Sequence, residues 1–141
     1  MGRRRQAREI ALQALYIVDT SGTARREAFS IVNRRETLED EKTLEFAREL
    51  FHGADERRED LDAHIQSTAE NWALSRMAAV DRNILRLASF ELLYRPETPV
   101  NVIIDEAIEI ARKFSTEDST KFINGILDKI KALRVPSKNT R

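Results

Sequence analysis

Cysteine is absent from the 141 residues, which excludes disulfide frameworks, thiolate nucleophiles and cysteine-based zinc sites. Proline is scarce, with three residues at positions 96, 99 and 136, and only four glycines are scattered along the chain. Long stretches are therefore free of helix breakers. No apolar run approaches the roughly 18 residues of a membrane-spanning helix. The basic N-terminus leads into an amphipathic pattern, without the apolar segment a secretory signal needs. Net charge is missing as well: 24 Lys+Arg balance 24 Asp+Glu. That balance argues against indiscriminate binding of polyanions and leaves room for a local basic patch. What is present, 41% hydrophobic residues, is enough for one real core. The expectation is a cytoplasmic, single-domain protein spanning residues 1–135, followed by a frayed basic tail, 136–141.

Helical period dominates, and no strand-like alternation persists. Ala7, Ile10, Ala11, Ala14, Leu15 and Val18 form one stripe, predicting a helix from about Arg4 to Asp19. A shorter helix is expected over Arg25–Asn33, with Ala28, Phe29 and Val32 inward. From Leu44 through Phe51, Leu61 and Thr68 the apolar register runs on across Gly53, favouring one long helix from Glu41 to Ala69. The alternative ends a helix at Gly53 and starts another near Asp55. Met77–Tyr94 is apolar on more than one face and should be the central helix. Thr98 as N-cap and Pro99 at the first helical position open a helix to Phe114. A final helix spans Asp118–Leu133. The fold class is all-α, a compact bundle of six to seven helices.

Catalytic signatures are lacking. His52 and His64 stand twelve residues apart, outside the spacings that pair ligands on one helical face, and each reads as a partly buried or surface histidine. No phosphate-binding glycine loop or nucleophile elbow occurs. Carboxylate pairs such as Glu106 and Glu109 read as solvated. No metal or cofactor is expected, and the chain reads as a binding protein rather than an enzyme.

Four arginines fall within the first eight residues. On a helical projection Arg5, Glu9, Leu12 and Tyr16 lie opposite the core stripe, with Arg8 and Gln13 beside them. A solvated basic helix start with one incidental tyrosine accounts for this pattern. Two points count the other way. Arginines are poorly placed at a helix N-terminus, and an exposed ring among cations suits unpaired RNA, which needs charge for phosphates and a face for a base. Near the other end, "STEDSTKFINGILDKI" crowds polar groups at a helix start, where free N–H groups favour an anion, and follows them with Lys121 and Phe122. Gly125 within it reads as a helix-crossing point.

The segments "RRRQAREIALQALY", "VDRNILRLASFELLYRPETPVNVIIDEAIEIARKF" and "EDSTKFINGILDKI", in this order and spacing, closely resemble the bacterial transcription antitermination factor NusB family. Residues 20–70 match only in helical pattern. The resemblance implies two packed helical subbundles and no catalysis. It implies binding of the boxA RNA element of rRNA operon leaders together with the ribosomal protein NusE, alongside other Nus factors on RNA polymerase. By motif, Arg3, Arg4, Arg5 and Arg8 would contact RNA phosphates, with Gln13 and Tyr16 beside them. Lys121 and Phe122 would complete the surface with Asp118 at its edge, and Asp81 would face the basic ribosomal protein. About four neutralised phosphates would give a salt slope near −3. Only Met1 and Gly2 precede the arginines, so a contact made further upstream in some members is expected to be lacking. The same fold occurs by resemblance as the N-terminal domain of certain rRNA cytosine methyltransferases, an alternative that fits poorly without a catalytic domain or a cysteine. A helical protein-interaction scaffold is the other alternative. Monomer and homodimer are both compatible with the sequence.

Overall fold

The computed structural model describes residues 2–35 and 40–134, so the expected tail at 136–141 lies outside the described residues. Among the described residues seven α-helices follow one another: α1 Arg3–Ser21, α2 Arg25–Arg35, α3 Glu41–Glu56, α4 Arg58–Thr68, α5 Ala79–Tyr94, α6 Val100–Phe114 and α7 Glu117–Ile130. Single 3-10 turns at Leu74–Arg76 and Lys131–Leu133 precede α5 and extend α7. Among the described residues there is no strand. Among the described residues, no helix is long and apolar enough to cross a membrane.

Two subbundles share one central helix. In the first, α1 packs on α2 and α3; in the second, α4, α6 and α7 gather around α5. Because α5 also lies against α1 and α3, it belongs to both, and every residue from Asn83 to Leu92 is buried. Phe51, Leu50, Leu61, Ile65, Leu85 and Leu92 are among the fully buried side chains, each contributing about 1.5–3 kcal/mol. The charged groups at the start of α5 are matched: Arg86 holds Asp62 through two hydrogen bonds of 2.7 and 2.9 Å. Arg82 and Asn83 both donate to Asp19, closing α1 onto α5.

Helix ends follow local chemistry. Gly22 caps α1 at φ 70°, the left-handed conformation glycine adopts without strain, and its N–H donates to the Val18 carbonyl. Asp40 caps α3 by accepting from the Lys42 N–H and the Thr43 hydroxyl. Thr116 caps α7 through the Ser119 N–H.

Several expectations are corrected. The single helix Glu41–Ala69 is two, parted at Arg57, so neither the continuous reading nor a stop at Gly53 holds. Both halves face the same central helix, and a one-residue interruption leaves that apolar register intact. Gly53 lies inside α3 because a Cβ there would overlap the Phe90 ring. The central helix starts at Ala79, and Met77 precedes it. Pro99 rather than Thr98 occupies the α6 N-cap, with its carbonyl accepting from the Ile103 N–H. Nothing lies within 4 Å of where a Cβ on Gly125 would stand, so no helix crosses there.

Candidate nucleic-acid interface

The arginines of α1 point three ways. Arg3 is exposed and reaches the α3 cap, 3.1 Å from Asp40. Arg4 lies over the Phe46 ring, its guanidinium carbon 4.1 Å from the centroid. Arg5 turns toward α6 and donates to both oxygens of Glu106 at 2.9 and 2.7 Å. That contact raises the Arg5 pKa and holds the Glu106 carboxyl below its ordinary range. Arg8 goes inward: its side chain is 3% exposed, its Nε and Nη2 edge is paired with both oxygens of Glu91, and its Nη1 lies 4.0 Å from Glu106.

The face opposite the core stripe is thus narrower than its helical projection. Glu9 and Leu12 are buried as well, since α1 is covered by α5 in addition to α2 and α3. Lys113 of α6 donates to Glu9 at 2.9 Å. Glu106, expected to be a solvated carboxylate, instead joins α6 to α1, whereas Glu109 pairs with the exposed Arg112.

Tyr16 projects outward, 40% exposed. Some 16 Å of helix separates its Cα from that of Arg5, eleven residues at 1.5 Å each. Tyr16 and Gln13 line a shallow pocket of about 210 Å³ with Val80 of α5, Phe114 of α6 and Arg35 of α2. The next residues in the chain continue the surface. Asp81 follows Val80, and Ser115 follows Phe114; the Ser115 hydroxyl donates to Asp81 at 2.6 Å. Ser119 of α7 donates to the other Asp81 oxygen at 2.7 Å. Asp81 is buried by these contacts and pins the α6–α7 turn onto the start of α5.

Asp118 and Phe122 open on the far side of Asp81, where Trp72 and Met77 line the same cavity. Phe122 is half-buried and packs on the core. Lys121 faces a neighbouring groove between α6 and α7, beside Glu109 and Arg112. The surface therefore runs from Arg5 through Glu9–Lys113 and Tyr16–Phe114 to Asp118 and Phe122, while Arg3 and Arg4 border α3.

Sequence reading missed Glu106, Phe114 and Arg35 as neighbours of this surface, and also Trp72. The last had a signal: the chain's single tryptophan stands in a stretch with no apolar period to bury it. Among the described residues, no group of three or more His, Cys, Asp or Glu could hold a metal. His52 is half-buried against Phe29 and Phe51, and burial, with Arg25 nearby, lowers its pKa. His64 lies 3.6 Å from Asp60.

Comparison with known proteins gives this arrangement its relatives. The NusB family model matches residues 5–132. The transcription antitermination protein NusB of Elusimicrobium minutum is 48% identical over 140 residues, 99% of this chain and 100% of that protein. NusB of T. maritima superimposes with a TM-score of 0.84 at 38% identity, covering 94% of this chain and 93% of that one. A chain from a crystal structure of antitermination factors NusB and NusE in complex with dsRNA gives 0.87 at 27% identity, with 93% and 97% covered. The family model runs from within α1 through α7 and the matched relative runs nearly end to end: the chain belongs to the NusB family.

Proposed function

We propose that the chain is a transcription antitermination factor. It binds boxA RNA of rRNA operon leaders together with the ribosomal protein NusE, suppresses premature termination and supports rRNA synthesis in the cytoplasm. Residues 1–135 act as one RNA-binding domain, without catalysis or cofactor. The observation that carries this reading is the outward Tyr16 ring, set between the cations of α1 and the exposed Phe114. Rings stack on unpaired bases while guanidinium groups take the phosphates. The solved relative's complex contains double-stranded RNA; the single-strand reading rests on this chain's own exposed rings.

In this proposal Arg3, Arg4, Arg5 and Lys121 meet phosphates, while Gln13, Tyr16 and Phe122 meet bases and sugars. Arg8 serves by anchoring α1 on Glu91. Asp81 holds the α6–α7 turn that carries Asp118 and Phe122, at the edge offered to the basic ribosomal protein. A neutral chain with few phosphate contacts binds RNA loosely alone and gains from a partner holding the same strand.

Gel-shift of a leader RNA against a scrambled control, across salt and with or without the ribosomal protein, tests the proposal. Preference for the leader, strengthened by the partner, is expected. Equal binding of both RNAs would favour a helical interaction scaffold.

A further inference from the structure

α2 carries four arginines against a single glutamate, Glu27. Arg25, in its first turn, is neutralised by Asp55 and Glu56 of α3. Arg34 and Arg35 close its last turn, where the helix dipole favours cations. The dipole accounts for Arg34, whose guanidinium turns back along α2 to the Ser30 hydroxyl at 3.3 Å. It does not account for the placing of Arg35, which reaches α1 and lines the pocket of about 210 Å³ beside Gln13 and Tyr16. Arg35 is exposed, and among the described residues it has no hydrogen-bond, ion-pair or ring partner.

The other cations along this stretch are already held. Arg5 is bound by both oxygens of Glu106, and about 16 Å of helix separates it from Tyr16. Arg8 is buried on Glu91. Lys113 donates to Glu9 and lies over the Phe114 ring, 5.3 Å from its centroid. A phosphate taken by Arg5 or Lys113 must displace a carboxylate, whereas one taken by Arg35 displaces only water. We infer that Arg35 is a phosphate-binding residue for RNA, holding the nucleotide whose base rests on Tyr16, so that α2 flanks the strand at this point. The inference rests on the RNA reading above. It adds a contact on a helix outside the three segments that carry the family resemblance. A guanidinium suits the role, because its planar fork meets two oxygens of one phosphate.

A dye-labelled leader RNA titrated into the full chain across a salt series, with anisotropy following binding, tests the contact. Arg35→Gln is expected to lose about 10-fold in affinity at low salt and about 0.7 of the salt slope. Arg35→Lys should keep the slope, since the charge remains, and recover only part of the affinity. Arg26→Gln is the control: Arg26 is exposed and unpartnered among the described residues, but stands at the opposite end of α2. It should bind like the parent. Combined with Tyr16→Ala, Arg35→Gln should cost less than it does alone, because both side chains hold one nucleotide. An unchanged slope in Arg35→Gln, or an equal loss in Arg26→Gln, overturns the assignment and leaves the RNA reading standing. Sedimentation that shows the parent pairing with itself and Arg35→Gln not doing so, with RNA affinity unchanged, gives the pocket to a second copy and also overturns it. No RNA binding by the parent overturns both.

Discussion

Arg8 meets Glu91 with two parallel hydrogen bonds, Nε and Nη2 each 2.8 Å from a carboxylate oxygen, across 83 residues of chain. The side chains are 3% and 2% exposed, so a charge left alone there finds little water. Breaking a buried pair from one side costs about 3–5 kcal/mol, whereas replacing both partners with apolar groups is often neutral. Arg8→Ala and Glu91→Ala are each expected to lower urea-unfolding stability by about that much. The Arg8→Met, Glu91→Leu double variant should recover most of it. A double variant as unstable as the singles would refute this account.

Glu106 brings a pH dependence of defined sign. The hydrogen bonds from Arg5 outweigh desolvation and hold its carboxyl below the ordinary value of 4.5. The folded chain therefore binds that proton more weakly than the unfolded chain. Its contribution is complete above the unfolded value and disappears as pH falls through the lower folded value. Thermal melts should show Glu106→Gln less stable than the parent at neutral pH, with the gap closing in acid. A gap that widens in acid would reverse the assignment.

The same pair competes with RNA under the proposed function. Phosphate must displace Glu106 from Arg5, so Glu106→Gln should tighten RNA binding. Arg5→Gln should weaken it and reduce the salt slope by about 0.7, the value for one single-strand phosphate contact. Arg8→Met should leave the slope unchanged, because Arg8 faces Glu91. Filter binding across a salt series separates these outcomes; an equal slope loss for Arg8 and Arg5 would place both at the strand.

At Gly53 two principles disagree. Alanine is the better helix former by about 1 kcal/mol, yet its Cβ would enter the Phe90 ring, which is buried and stacked on Tyr94. Overpacking of this kind costs about 1–3 kcal/mol. Gly53→Ala is expected to destabilise the parent and to stabilise, or leave unchanged, a Phe90→Leu background. A double-mutant cycle measured by thermal unfolding gives the coupling. Additive effects would mean that the ring moves aside freely.

Much of this molecule can be read from apolar spacing, because each helix buries one stripe and α5 buries nearly all of its faces. Features set by distant partners escape that reading. Arg8 looks like one more member of a cationic cluster until Glu91 comes alongside, and Glu106 looks solvated until Arg5 does. The parting at Arg57 leaves no trace in the register of Phe51, Leu61 and Ile65. Tyr16 was legible as an outward ring because its position relative to Ala7 and Ala11 is fixed by α1 alone. Trp72 sits in a turn shaped by Gln66, where no period applies.

The ion pairs that steady the outer side of α1 come from α6: Arg5 waits for Glu106, and Glu9 for Lys113, 101 and 104 residues later. At synthesis rates of roughly 5–20 residues per second, that wait is about 5–20 s. Arg3, Arg4 and Arg8 meet Asp40, Phe46 and Glu91 sooner, so Arg5 is the last of the four arginines to find its partner. The outer side of α1 is therefore the last part of that helix to be completed during synthesis.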